Sequence, residues 1–284
     1  MRRDTKLYQF LKTCAAMIGL PTRRGQTRGW ERFARGSEGV DQLPATATND
    51  MERAFYSHND RLAHKWHNYL SVYDRHSNRF RATARTFLEI GVCHGGSLQI
   101  WKRYLGGGAR VHGIDILEIC SVVEEPGIQV HVCDTANRAS IIGVLEKIGP
   151  LDIVVDDGSH LGDHQRRCFE EIFPRMREGG VYMVEDVQCS YWREFGGGYR
   201  QRGTFVEYAK DLIDRMHVWY ISDERIDSDE WFARNIRSIN FYDGMIVIEK
   251  GPKPDPFHIR VGHRTIPVEP EVTKLIAEGR WLKS

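Results

Sequence analysis

"RTFLEIGVCHGGSLQIWKRYL", residues Arg85 to Leu105, decides the fold. "RTFLEIGV" reads as a buried strand and "GGSLQIWKRYL" as a helix opening on glycines. The same rhythm continues downstream. "ARVHGIDI" (109–116) is a second strand, "IQVHVCD" (128–134) a third and "RASIIGVLEKIG" (138–149) a helix. "LDIVVDD" (151–157) is the fourth strand, followed by a helix from Asp163 to Phe173 that Pro174 breaks, and "GGVYMVEDV" (179–187) is the fifth. Repeated βα units of this kind specify a parallel sheet with helices on both faces. The rhythm then changes: in "IRSINFYDGMIVIEKG" (236–251) two apolar runs are joined by Asp243-Gly244, a hairpin signal. The expected fold is α/β, a doubly wound, mostly parallel sheet of seven strands closed by a C-terminal antiparallel hairpin.

The flanking segments set the expected domains. Residues 1–80 read as a helical N-terminal extension, 81–251 as the sheet domain, and 252–284 as a surface tail opened by Pro252, Pro254 and Pro256. Residues 37–50 read as a linker, and 51–80 as one or two helices. Leu7, Phe10, Leu11, Cys14, Met17 and Ile18 recur at helical spacing, ended by Gly19 and Pro21. Such a helix docks on its own core or on a neighbouring subunit, so a homo-oligomer is expected.

Composition narrows the function classes. The 284 residues are 41% hydrophobic and carry net charge +1, which gives no whole-chain argument for nucleic acid. Met1 to Gly36 holds nine Lys/Arg against Asp4 and Glu31, read as a solvated basic leader. Lys12 interrupts the apolar stretch of that leader and no small-residue cleavage site follows, so a secretory signal is not expected. No apolar run reaches the roughly 20 residues of a membrane span. Six scattered cysteines without a CxxC pair signal reduced thiols and a cytoplasmic chain.

The carboxyl ends of the strands carry the chemistry. "LEIGVCHGGS" places Glu89 and Gly91 at the end of the first strand, with Gly95 and Ser97 at the start of its helix. Glycines there let a ligand approach the main chain beside helix N-terminal amides. Cys93 stands where a dinucleotide fingerprint has its second glycine. Asp115 ends the second strand, where an acid grips ribose hydroxyls, and Asp134 ends the third, within reach of an adenine amino group. With no phosphate-binding cluster at the helix start, these acids favour S-adenosylmethionine over a dinucleotide.

Asp156-Asp157 and Glu185-Asp186 end the fourth and fifth strands, which are neighbours in a doubly wound sheet. Two acid pairs at adjoining strand ends suit a hard divalent cation such as Mg²⁺. His160 follows at once, an imidazole near neutrality beside the acids. Methyl transfer to oxygen needs a hydroxyl that a metal polarises and a base deprotonates.

"FLEIGVCHGGSLQIWKRYL", "VVDDGSH" and "GGVYMVEDVQCSYW" resemble the metal-dependent sugar O-methyltransferases of macrolide and related glycosylated natural products, and cephalosporin hydroxylase-like proteins share much of this signature. The resemblance covers about residues 65–251 and implies a class I methyltransferase fold. It implies Asp157, Glu185 and Asp186 as Mg²⁺ ligands and His160 as general base. Glu89, Gly91, Gly95, Ser97, Asp115, Asp134 and Asp156 would serve S-adenosylmethionine, Asp156 through the loop or the cofactor rather than the metal. Two departures stand out. Only about 80 residues precede the first strand, where the macrolide enzymes carry a long N-terminal domain, and the third strand ends Cys-Asp-Thr-Ala where relatives often have Gly-Asp-Gln.

"SYWREFGGGYR" (190–200) offers Tyr191 and Trp192 to stack on a sugar, or as anchors of an ordinary surface loop. "HKWHNYLSVYDRHSNRFR" (64–81) is a second candidate cover, and its His64/His67 pair has no third ligand nearby. The expected partner is a small glycoside or hydroxylated acceptor. A catechol-like acceptor, a nucleic-acid methyltransferase and a non-catalytic S-adenosylmethionine-binding protein are the alternatives. The DDGSH ending, in place of an Asn/Asp-Pro-Pro-aromatic run, argues against base methylation.

Overall fold

The computed structural model describes residues 43–83, 85–222, 230–263, 265 and 270–278. The basic leader and the helical pattern at Leu7–Ile18 lie outside the described residues. The chain divides into two compact units, one ending at Pro254 and the other beginning at Asp255.

In the first unit, α1 (Asp50–Tyr56) and α2 (His67–Ser77) precede the sheet. A helical turn, Leu43–Thr46, occupies part of the segment expected to be linker. Then follow β1 (Thr86–Ile90), α3 (Gly96–Leu105), β2 (Arg110–Asp115), β3 (Ile128–Val132), α4 (Arg138–Ile148) and β4 (Ile153–Asp156). Next come α5 (Gly162–Ile172), β5 (Val181–Val184), α6 (Phe205–Met216), α7 (Glu230–Asn235), β6 (Ile236–Tyr242) and β7 (Met245–Lys250). The second unit holds α8 (Pro270–Ala277).

The seven strands order as β3-β2-β1-β4-β5-β7-β6. The first five are parallel, and β7 runs antiparallel to both β5 and β6. Tyr242 pairs with Met245, so Asp243-Gly244 is the whole hairpin loop, with Gly244 left-handed at φ 77°. The sheet is therefore the one read from the alternating βα segments and the Asp-Gly turn.

Strand alternation divides the core. Leu88, Ile90, Val154, Tyr182 and Val184 point to the face covered by α4–α7, while Phe87, Val155 and Met183 point to the face covered by α1–α3. Met51, Tyr69, Leu70 and Tyr73 lie in this second cluster with Trp101, so the described part of the expected N-terminal extension is built into the sheet's own core.

Candidate functional site

β1, β4 and β5 end side by side. The register Ile90↔Asp156↔Val184 carries over one residue, where Asp157 N–H donates to the Ile90 carbonyl at 2.9 Å and Glu185 N–H to the Asp156 carbonyl at 2.9 Å. Glu89, Asp157 and Glu185 thus share the α2 face. Gly91, at φ 93°, crosses beneath Asp157, and a Cβ there would collide with the Asp157 carbonyl.

Between these acids lies a cation that the sequence reading missed. Lys65 Nζ is 3.0 Å from Glu89 Oε1, 2.6 Å from Asp157 Oδ2 and 3.1 Å from each oxygen of Glu185. Burial alone would lower the pKa of this ammonium; the charges of Asp157, Glu185 and Glu89 outweigh it and hold the pKa well above its ordinary value. Ser97 Oγ donates to Glu89 Oε1 at 2.6 Å, and the Tyr73 hydroxyl donates to Glu185 Oε1. Burial raises the pKa of Glu89, and burial with the Asp157 charge raises that of Glu185, each against the pull of Lys65.

Asp186 belongs to an adjoining set. Its Oδ1 lies 2.8 Å from the Tyr69 hydroxyl and accepts from Gln188 Nε2 at 2.9 Å. Burial raises its pKa too, opposed by His160. The Gly244 carbonyl lies 2.8 Å from the same Tyr69 hydroxyl and accepts the Val187 N–H, and a Cβ on Gly244 would collide with that hydroxyl. His160 Nε2 is 3.6 Å from Asp186 Oδ2 and 3.9 Å from Asp157 Oδ1. Phe195 packs edge-on against the His160 ring at 6.0 Å and contacts Trp192 at 6.2 Å. Tyr191 is half exposed.

Among the described residues five non-glycines have positive φ, and three of them, Cys93, His160 and Asp186, border this site. Left-handed backbone costs an ordinary residue roughly 1 kcal/mol or more, and such residues gather where geometry serves chemistry.

Two triads have ligand atoms within 4.8 Å of one another: Asp157, His160, Asp186, and Glu89, Asp157, Glu185. Oxygen donors with one imidazole suit a divalent cation, and the Lys65 ammonium shows that one of these triads already accepts positive charge. His64 and His67 join neither triad. A small, partly open pocket lies beside the acids, lined in part by Leu62, Lys65, Glu89, Gly91, Ser97 and Asp157.

Other expected cofactor contacts lie along the same sheet edge but outside that lining. Asp115 is buried and accepts from the Val92 and Leu117 amides, one at each oxygen, at 3.0 Å. Asp134 Oδ1 accepts the Ala136 N–H at 2.9 Å. Gly95, at φ 77°, caps α3 against Val123. Strand alternation turns the Asp156 carboxylate to the opposite face, where the Tyr182 hydroxyl donates to Oδ2 at 3.0 Å and the Gly158 amide of the following loop also bonds it.

Tyr69, Tyr73, Gln188 and Phe195 were also missed. The tyrosines stand four residues apart on one helix, which was the available signal. The five described cysteines are free thiols.

A mostly parallel sheet with a reversed last strand and acids at its carboxyl edge is the arrangement of the class I methyltransferase fold. Residues 88–187 match the family model described as "Methyltransferase domain". The chain carries that domain and is similar to sugar O-methyltransferases of natural-product pathways. It is 38% identical over 196 residues, 66% of this chain and 51% of the relative, to 8-demethyl-8-alpha-L-rhamnosyl tetracenomycin-C 2'-O-methyltransferase of Streptomyces olivaceus. It is 34% identical over 189 residues, 63% of this chain and 47% of the relative, to mycinamicin VI 2''-O-methyltransferase of Micromonospora griseorubida. A solved MycE methyltransferase of the mycinamycin biosynthetic pathway, in complex with Mg and SAH, superposes with TM-score 0.63 at 31% identity, covering 75% of this chain and 54% of that one. The chain spans about half the length of the curated relatives it matches. No helix among the described residues is long and apolar enough to cross a membrane.

Proposed function

We propose that this chain is an S-adenosylmethionine-dependent, Mg²⁺-assisted O-methyltransferase acting on a hydroxyl of a sugar or glycosylated small molecule. The observation that carries the reading is the convergence of Asp157, Glu185, Asp186 and His160 at two adjoining strand ends beside the Glu89–Ser97 turn. Relatives named as sugar O-methyltransferases, and a related structure described with Mg, SAH and mycinamycin VI, support it.

When bound, S-adenosylmethionine supplies an electrophilic methyl group and Mg²⁺ lowers the pKa of a coordinated hydroxyl. Asp157, Glu185 and Asp186 are the residues that would hold the metal. Glu89, Gly91, Gly95, Ser97, Asp115 and Asp134 would hold the cofactor: the glycines through close backbone approach, Asp115 and Asp134 through lone pairs left after their amide bonds. His160 Nε2 takes the acceptor's proton, and the nearby Asp186 carboxylate stabilises the imidazolium that results. Trp192 and Phe195, with Tyr191 at the rim, wall the side of His160 from which a sugar ring would enter.

The division into a helical extension (1–80), a methyltransferase domain (81–251) and a tail (252–284) belongs to this proposal, as do a cytoplasmic homo-oligomer and the absence of a nucleic-acid partner. The deciding experiment supplies S-adenosylmethionine and Mg²⁺ with panels of glycosides, catechols and RNA, and reads a 14 Da gain by mass spectrometry. Methylation of glycosides is the expected result. Transfer to catechols alone, or to RNA alone, replaces the acceptor class.

A further inference from the structure

Lys65 is not on a helix. It lies in the coil between α1 and α2, one residue before Trp66 caps α2, and its side chain is 4% exposed. The coil crosses the glycine turn so closely that a Cβ on Gly96 would collide with the Arg61 and Leu62 carbonyls. Polar contacts tie it down: Arg61 Nη1 donates to the Val123 carbonyl at 2.6 Å, and His58 Nε2 lies 2.6 Å from the Arg61 carbonyl. From this strap Lys65 reaches four oxygens of three acids, while Glu89 Oε2 is buried with no hydrogen-bond partner among the described residues. That acceptor points to a further donor or cation in the same cage.

We infer that Lys65 is a tethered cation that closes the acid cage in the ligand-free protein and exchanges with the divalent ion when the site fills. The inference rests on reading the acids as a cation site and adds what controls access to it. Both Glu185 oxygens are engaged by the ammonium, and a Mg²⁺ ion needs oxygens at about 2.0–2.1 Å with no second cation between them. Lys65 and a Glu185-bound metal therefore compete for the same oxygens, and the strap over Gly96 would yield as the metal enters. Without the ammonium the cage would hold Glu89, Asp157 and Glu185 against one another, so the lysine keeps an empty site foldable at the expense of metal affinity.

Two measurements with Mg²⁺ alone test this. By calorimetry, Lys65→Met should bind Mg²⁺ on the order of tenfold or more tightly than the wild type, because the competing charge is gone. In the wild-type chain, acetylation of Lys65, read by peptide mass spectrometry, should be slow without metal and rise on adding Mg²⁺. Equal or weaker Mg²⁺ binding by Lys65→Met, or a Lys65 equally protected with and without bound Mg²⁺, overturns the exchange while leaving the cation site standing. No Mg²⁺ binding by either protein overturns the cation site and the exchange together.

Discussion

Asp156 and Asp157 are consecutive, yet their carboxylates lie on opposite faces of the sheet, one under the Tyr182 hydroxyl and the other on the Lys65 ammonium. The repulsion that their adjacency suggests is thereby divided between two environments. Asp156 has no cation beside it among the described residues, and burial pushes its pKa up to about 7, with the Asp157 charge a smaller contribution. The folded chain thus holds this proton more tightly than the unfolded chain, where aspartate titrates near about 4. The resulting stability is full below about 4 and is lost as pH rises through about 7. Asp156→Asn should flatten that part of the stability profile, worth on the order of a few kcal/mol. Urea unfolding of metal-free protein between pH 4.5 and 8 measures it, and an unchanged slope removes Asp156 as the source.

Three further acids, Glu89, Glu185 and Asp186, are buried at the site with raised pKa values. A ligand cation relieves them and stabilises the fold by mass action. Mg²⁺ should therefore raise the melting temperature and EDTA should reverse it. Asp157→Asn, Glu185→Gln and Asp186→Asn should each abolish that response. Metal-free Asp186→Asn should melt at or above the metal-free wild type, because it removes like charge without opening a cavity. Full methyl transfer in metal-free buffer would return the acids to a purely structural role.

His160 has its ring buried against Phe195 and its Nε2 turned toward Asp157 and Asp186. His160→Ala should lower kcat by roughly 10²–10⁴ while Mg²⁺ and cofactor affinities stay within a few-fold. Stopped assays alongside calorimetry separate the two. A variant with ordinary turnover would make the imidazole a packing group.

Asp115 serves two ends at once, since its oxygens tie the Val92 and Leu117 amides that shape the loops on either side of β2. Asp115→Ala should weaken S-adenosylmethionine binding on the order of tenfold or more, through lost charge-assisted hydrogen bonds. Calorimetry showing undiminished affinity in a folded variant would place the ribose elsewhere.

The sheet was legible because each parallel strand is an apolar run bounded by turn residues, and Asp243-Gly244 admits little but a hairpin. The acids were legible because strand ends are where such sheets bind. A strand period of two already separates Asp156 from Asp157, which is why only the second faces the acid cluster. Lys65 was not legible. It sits in an irregular coil with no period to follow, and its partners Glu89, Asp157 and Glu185 are brought to it only by tertiary packing.

The Gly244 turn reverses the chain, and its carbonyl and bare Cα bear on the tyrosine that steadies Asp186. The element that distinguishes this sheet from other doubly wound ones is thus also a strut of its chemistry. Grafting a foreign hairpin onto β5 would keep the architecture and remove the strut. Topology and the placing of Asp186 at this edge are consequently coupled through one turn.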